Sequence, residues 1–159
     1  MKSRVRLATI RIALVCSLLA ATAGCNVTRV RNAGAAMTPT ITDGQRVLVS
    51  RYVGTVGRGD IISFGYPKDP SKTLVKRVVG LPGERIASRD GRIFINGQEL
   101  AEPYVAADEA SRSHDTFAEQ VIPNAAYFVL GDLRNNSSDS RLWGPVPAAL
   151  VRGKVILTF

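Results

Sequence analysis

One stretch, Leu74–Glu84, constrains the fold of this chain more than any other. It reads LVKRVVGLPGE, in which β-branched valines favour an extended chain and glycine and proline end it in a turn. Side chains alternate faces along a strand, so Lys76 shares a face with Leu74 and Val78, and Arg77 lies on the other. Either the fold buries a positive charge among aliphatic groups, or this strand lies at a solvated sheet edge.

The two alternatives give Lys76 different chemistry. If Lys76 is buried, desolvation lowers the pKa of its amine, and a neutral amine can act as a general base near neutral pH. If the strand is exposed, Lys76 and Arg77 both extend their charges into water along their apolar stems. This segment by itself leaves both alternatives open.

The basic residues are concentrated at the N terminus. The net charge is +8, but the first 31 residues hold six basic residues and no acidic one, and the remaining 15 basic and 13 acidic residues nearly balance. Residues 7–24, after the basic start, form an apolar run close to the minimum length of a membrane-spanning helix. The charge pattern therefore indicates a membrane-targeting segment rather than a nucleic-acid-binding surface. We predict a signal or anchor segment at 1–25 and one domain at 26–159.

Three fates remain open for the N-terminal segment. It is a retained helical anchor, a lipoprotein signal ending in a lipid on Cys25, or a cleaved secretion signal, since small residues precede Cys25. In each case the basic cluster stays in the cytoplasm, so we expect the domain on the extracytoplasmic side of the cell membrane.

The remaining sequence predicts an all-β domain. Cysteine is absent after Cys25 and His114 is the only histidine, so we expect no cofactor, no metal and no cysteine framework. A connector at 26–35 and a polar loop or flap at 102–124 interrupt short strand patterns bounded by turn residues. Asn96 and Gly97 mark a hairpin. The predicted strands, besides that of Lys76, lie at 45–52, 60–64, 84–87, 92–95, 98–100, 126–130 and 151–159.

Three blocks stand in order along the chain: AMTPTI from Ala36, GDIISFGYPKDPSKTLVKRVVGLPGE ending at Glu84, and GDLRNNSSDSRLWGPVP from Gly131. Together they resemble the bacterial type I signal peptidases, serine endopeptidases that use a Ser/Lys dyad to cut signal peptides from exported proteins at the membrane surface. The resemblance implies a signal-peptidase-type antiparallel β domain, with signal peptides or preproteins as partners.

The resemblance also implies the roles of individual residues. Ala36 occupies the position of the nucleophilic serine, and Lys76 corresponds to the general base. Ser137 corresponds to a hydroxyl that hydrogen-bonds and orients the lysine amine. Asp139 and Arg141 match a bidentate ion pair that supports the site.

Further positions follow from the same blocks. The backbone amide of Ala36 is expected in the oxyanion hole, together with Gly34. Met37 and Pro39 are expected to contact substrate. Because a methyl group cannot attack a carbonyl, we expect a chain with Ala36 to be inactive. The alternatives are a non-catalytic homologue that binds signal peptides or pilins, a working peptidase in which Ala36 is an introduced change, and a conjugation-type pilin-processing peptidase.

Overall fold

Most of the chain that the structure describes is organised in two antiparallel sheets. The structure is a computed structural model, and residues 26–51, 54–106 and 113–159 are described. In these ranges the strands are β1 Val27–Arg31, β2 Arg46–Ser50, β3 Ile61–Tyr66, β4 Asp69–Gly80, β5 Arg85–Arg89, β6 Arg92–Ile95, β7 Gln98–Glu99, β8 Phe117–Val121, β9 Ala126–Leu130, β10 Val146–Pro147 and β11 Val151–Thr158. The described ranges also contain one α-helical turn, α1 Ser140–Trp143, and two 3-10 turns, Arg134–Asn136 and Ala148–Leu150.

The large sheet has seven strands in the order β1-β2-β11-β3-β4-β9-β10, and the small sheet has four in the order β7-β6-β5-β8. Neighbouring strands pair antiparallel throughout. The predicted all-β class is confirmed, and the strands at 92–95 and 126–130 were predicted to the residue.

Strand β4 lies inside the large sheet, between β3 and β9. Its last six residues, 75–80, are all buried, with Lys76 and Arg77 only 6% and 9% exposed. Because the sheet is covered on both faces here, each face buries one cation. The solvated-edge alternative is therefore wrong.

Apolar side chains form three clusters around the large sheet. One joins Val79 of β4 to the small sheet, and a second covers the face of Val78. The third contains Val75 together with Met37 from the segment between β1 and β2. Strand β4 contributes to all three clusters, which explains why its valines are fixed in position.

Two segments differ from their prediction. The connector at 26–35 contains β1, which pairs with β2, and the polar loop at 102–124 contains β8, which pairs with β5. Both strands lie at sheet edges and expose most of their side chains. Their apolar alternation is consequently weak.

The predicted signal or anchor segment at 1–25 lies outside the described residues. Among the helices of the described part, none has the length and apolar character needed to cross a bilayer.

Candidate active site

Ala36 lies in a tight turn between β1 and β2. The turn is held by hydrogen bonds from the Thr38 amide to the Ala35 carbonyl, 2.9 Å, and from the Ile41 amide to the Met37 carbonyl, 2.8 Å. Ala36 is half-buried, and its carbonyl accepts a hydrogen bond of 3.0 Å from the Leu133 amide. Its own N–H donates to no described residue. The turn is thereby joined to the loop after β9. The backbone amide of Ala36 remains available as a hydrogen-bond donor.

Gly131 is the point at which that loop meets the turn. A Cβ placed on Gly131 would lie 2.3 Å from the Ser137 hydroxyl oxygen and 2.5 Å from the Ala36 carbonyl oxygen. Both distances are far below van der Waals contact, so only glycine allows Ser137 and Ala36 to approach each other here.

The register of β4 against β9 indicates where the Lys76 side chain lies. Arg77 pairs with Leu130 and Val78 with Val129, so continuing this register by one residue sets Lys76 opposite Gly131. Directly opposed residues project to the same face, with Cβ atoms about 4.5–5.5 Å apart. Lys76 therefore leaves the sheet on the face where Ser137 and the Ala36 carbonyl converge.

Burial lowers the pKa of the Lys76 amine, and the carboxylates of Asp139 and Asp132 oppose that shift. Burial is the larger effect because the neutral amine avoids the cost of desolvating a charge. Within the ranges that the structure describes, the amine makes no hydrogen bond and no ion pair. These are the conditions that favour a neutral general base.

Ser137 differs from its predicted arrangement. Its hydroxyl oxygen is buried and has no hydrogen-bond partner among the described residues, so the predicted hydrogen bond to Lys76 is absent from this structure. The residue lines a surface cleft of about 370 Å³, next to Asn135 and Leu142. Ser137 thus lies at the site with a hydroxyl that makes no hydrogen bond to a described residue.

Asp139 and Arg141 form a bidentate ion pair. The guanidinium Nε and Nη2 donate to the two carboxylate oxygens at 2.8 Å each, and Asp139 is fully buried. Asp139 also accepts hydrogen bonds from the amides of Gly131, 3.1 Å, and Arg141, 3.2 Å, at the start of α1. Arg141 reaches further, to the Arg134 carbonyl and the Asp115 carboxylate, both at 2.8 Å. This pair fixes the loop that carries Ser137.

A second buried ion pair was missed by the sequence analysis. Arg77 donates to both oxygens of Asp132, at 2.8 and 2.7 Å, and to the Gly59 carbonyl at 2.8 Å. Thr40, from the turn that carries Ala36, donates to the same carboxylate at 2.5 Å. Burial is the largest single effect on Arg77 and opposes its charge, but hydrogen bonding to Asp132 together with the nearby charges of Asp132, Tyr104 and Glu102 outweighs burial and raises the guanidinium pKa. The charge of Arg77 inside an apolar strand was a signal that some carboxylate must be close.

A third pair links the site to the segment after β7. Arg134 donates to both oxygens of Glu102, and its Nε donates to the Gly131 carbonyl at 3.0 Å. The Tyr104 hydroxyl donates to Glu102 at 2.8 Å, and its ring lies 4.0 Å from the Arg77 guanidinium carbon. Burial is the main reason that the pKa of the Tyr104 hydroxyl is raised, and the neighbouring Glu102 carboxylate raises it further. No local sequence pattern connects residues so far apart in the chain.

The remaining predicted positions are placed as follows. Gly34 has φ of +92°, and its amide already donates to Asp43 at 2.7 Å, so it is not a free oxyanion donor in this conformation. Met37 is fully buried in the third cluster and has no surface with which to contact a substrate. Pro39 is exposed, and a substrate contact stays a prediction for Pro39 alone.

The fold and the three sequence blocks define a peptidase scaffold, and comparison with known proteins identifies its family. A family model described as signal peptidase, peptidase S26, matches residues 4–159. The chain therefore belongs to the signal peptidase family.

Individual relatives agree with this assignment. Signal peptidase I from Bacillus amyloliquefaciens is 38% identical over 118 residues, which are 68% of this chain and 60% of that protein. Signal peptidase I V from Bacillus subtilis (strain 168) is 36% identical over 126 residues, 71% of this chain and 74% of that protein. The crystal structure of a signal peptidase I from Enterococcus faecalis V583 matches with a TM-score of 0.55 and 37% identity, covering 66% of this chain and 99% of that one. The chain thus spans only about 60% of the length of the Bacillus amyloliquefaciens relative.

Proposed function

We propose that this protein is a membrane-attached member of the signal peptidase family that binds signal peptides of exported proteins outside the cytoplasm but does not cut them. The single observation that carries the proposal is Ala36 at the expected position of the nucleophile. The N-terminal basic and apolar pattern supports attachment to the membrane, and the family supports preproteins as the kind of partner.

The loss of cleavage follows from chemistry. Peptide hydrolysis through a Ser/Lys dyad requires a hydroxyl that loses its proton to the lysine and attacks the carbonyl. The methyl group of Ala36 has no proton to lose and no lone pair with which to attack. Removing a nucleophile costs most of the catalytic rate, whereas substrate binding can persist.

The parts that would bind a substrate carbonyl are still present. The Ala36 amide is free to donate a hydrogen bond to an oxyanion or a ground-state carbonyl oxygen. The turn that presents it is held to the Asp132 and Arg77 pair through Thr40. The site is therefore preorganised for binding without being able to form an acyl-enzyme.

A second candidate, a serine peptidase that lacks only its hydroxyl, is favoured by one specific observation. Lys76 remains buried with a lowered pKa, and the Asp139 and Arg141 pair that supports the loop is intact. In this case Ala36→Ser should be sufficient to create cleavage.

The test is cleavage of a preprotein by the full chain in membranes, followed by gel analysis. We expect no cleavage with Ala36; the second candidate further predicts cleavage by Ala36→Ser that disappears when Lys76→Met is added. Ala35→Ser, one residue away, is the matched control and should stay inactive. Cleavage by the unchanged protein would overturn the proposal, because another group would then be the nucleophile. If Ala36→Ser stays inactive, a binding assay with the same preprotein decides whether binding remains.

A further inference from the structure

The segment after β7 contributes two side chains, Glu102 and Tyr104, to the surroundings of the candidate site. Both oxygens of the Glu102 carboxylate accept hydrogen bonds from the Arg134 guanidinium, and one of them also accepts from the Tyr104 hydroxyl at 2.8 Å. The side chains of Arg134 and Glu102 are only 4% and 10% exposed, so water screens this ion pair weakly. A bidentate pair fixes geometry as well as charge. Glu102 therefore holds Arg134 in one orientation.

The orientation of Arg134 matters because Arg134 closes the loop after β9. Its Nε donates to the Gly131 carbonyl at 3.0 Å, across the two residues between them. The Leu133 amide, inside this closed stretch, donates to the Ala36 carbonyl at 3.0 Å. The contact between Glu102 and Arg134 thus supports the hydrogen bond that joins the loop to the turn that carries position 36.

Tyr104 is connected to the same turn through Arg77. The Tyr104 ring lies 4.0 Å from the guanidinium carbon of Arg77, a cation–π contact. Arg77 donates to both oxygens of Asp132 and, at 3.2 Å, to the Thr40 hydroxyl. Thr40 itself donates to Asp132 and belongs to the turn of Ala36. The aromatic ring therefore restrains a guanidinium whose partners connect the loop after β9 to this turn.

The two sets of contacts form a closed ring around the start of that loop. Residues 102–104 lie on one side of the ring, and residues 131–134 lie on the other. Within the described part of the chain, Glu102 and Tyr104 belong to none of the three apolar clusters. Burial raises the pKa of the Tyr104 hydroxyl, so this group stays a neutral donor to Glu102. Their contacts are thus made with the site rather than with the apolar core.

We propose that Glu102 and Tyr104 are positioning residues, which fix the loop after β9 against the turn that carries position 36. Glu102 acts through Arg134, and Tyr104 acts through Arg77. The inference rests on the proposed function only in taking this turn as the functional site. It applies equally to a site that binds a peptide and to one that cleaves it.

The test is amide hydrogen exchange followed by NMR, with the full chain in detergent micelles. The Leu133 amide reports on the joint between loop and turn, because its acceptor is the Ala36 carbonyl. The Ile122 amide is the reference, since it is buried and donates to the Glu84 carbonyl at 2.8 Å, next to the small sheet. A general loss of stability speeds exchange of both amides, whereas a loss of positioning speeds exchange of Leu133 selectively.

Two variants remove the two contacts separately. Glu102→Gln replaces the charged partner of Arg134, and we expect exchange of Leu133 to rise about tenfold or more relative to Ile122. Tyr104→Phe keeps the ring on Arg77 and removes only the hydrogen bond to Glu102, so we expect a smaller rise of about threefold. Tyr104→Leu also removes the ring and should exceed Tyr104→Phe.

Glu99→Gln is the matched control. Glu99 lies three residues before Glu102, and its ion pair with Arg92, at 3.6 Å, is exposed. We expect this variant to leave the exchange ratio of Leu133 to Ile122 unchanged. If Glu102→Gln does not fold, the Tyr104→Phe and Tyr104→Leu pair decides the question.

The outcomes separate this inference from the proposed function. If the Glu102 and Tyr104 variants leave the exchange ratio unchanged, or speed both amides by the same factor, the positioning role is wrong and the proposed function stands. If the unchanged protein cleaves a preprotein, the proposed function is wrong, and the exchange ratio still decides the positioning role.

Discussion

Gly131→Ala tests the geometry of the site through stability. The new Cβ would lie 2.3 Å from the Ser137 hydroxyl oxygen and 2.5 Å from the Ala36 carbonyl oxygen. Overpacking of a closed site costs about 1–3 kcal/mol. If the Ala36 carbonyl moves away, the hydrogen bond from the Leu133 amide is also lost, at about 0.5–1.5 kcal/mol. We therefore expect a loss of about 2–4 kcal/mol in the free energy of unfolding.

The assay is urea unfolding followed by circular dichroism, with a thermal melt as a second readout. A loss of this size corresponds to a fall in Tm on the order of 10 °C for a domain of this length. Gly57→Ala is the control, because a Cβ there would lie 3.6 Å from the Asp60 carboxylate, an ordinary contact. We expect that control to change stability by less than about 0.5 kcal/mol. Equal stability of the two variants would refute the convergence of Ser137 and Ala36 on Gly131.

Three further predictions concern the buried charges. If Ala36→Ser cleaves, its rate should rise with pH through the lowered pKa of Lys76, because the neutral amine is the base; a rate that rises only at the usual lysine pKa would contradict this. Asp132→Asn should cost about 3–5 kcal/mol in urea unfolding because it leaves Arg77 buried without its counter-ion, whereas Asp69→Asn, in an exposed pair, should leave stability unchanged. Between the lowered folded pKa of Lys76 and its unfolded value of ~10.4, the unfolded chain binds more protons, so stability should rise with pH across that window. Lys76→Met should remove the rise, and an identical pH profile would show that Lys76 is solvated.

The sequence predicted strands whose composition reflects burial, such as β9, and strands marked by turn residues, such as the exposed β7 after Asn96 and Gly97. Strand β9, Ala126–Leu130, combines aromatic and aliphatic residues and lies inside the large sheet, so its composition reflects burial. Strand β8, Phe117–Val121, buries little and contains Glu119 and Gln120. Its pairing with β5 therefore depends on backbone hydrogen bonds, which leave no trace in the side-chain pattern.

The site was predictable in its residues but not in its connections. The three blocks pointed to Lys76, Ser137 and the turn at Ala36 because they resemble a family whose fold brings such residues together. The contact between Arg134 and Glu102 joins residues 32 positions apart, outside any shared block, and no periodicity marks it. The buried Ser137 hydroxyl without a described hydrogen-bond partner is a result of side-chain packing, which sequence patterns do not encode.

The most direct test of the account is a pH titration of the Lys76 amine by NMR, using protein with 13C-labelled lysine side chains. Lys76→Met identifies the signal. Because burial outweighs the nearby carboxylates, we predict that the pKa of Lys76 lies below the usual lysine value. A Lys76 amine that titrates at the usual lysine pKa would contradict the central claim that this amine is kept dry and uncharged inside the sheet.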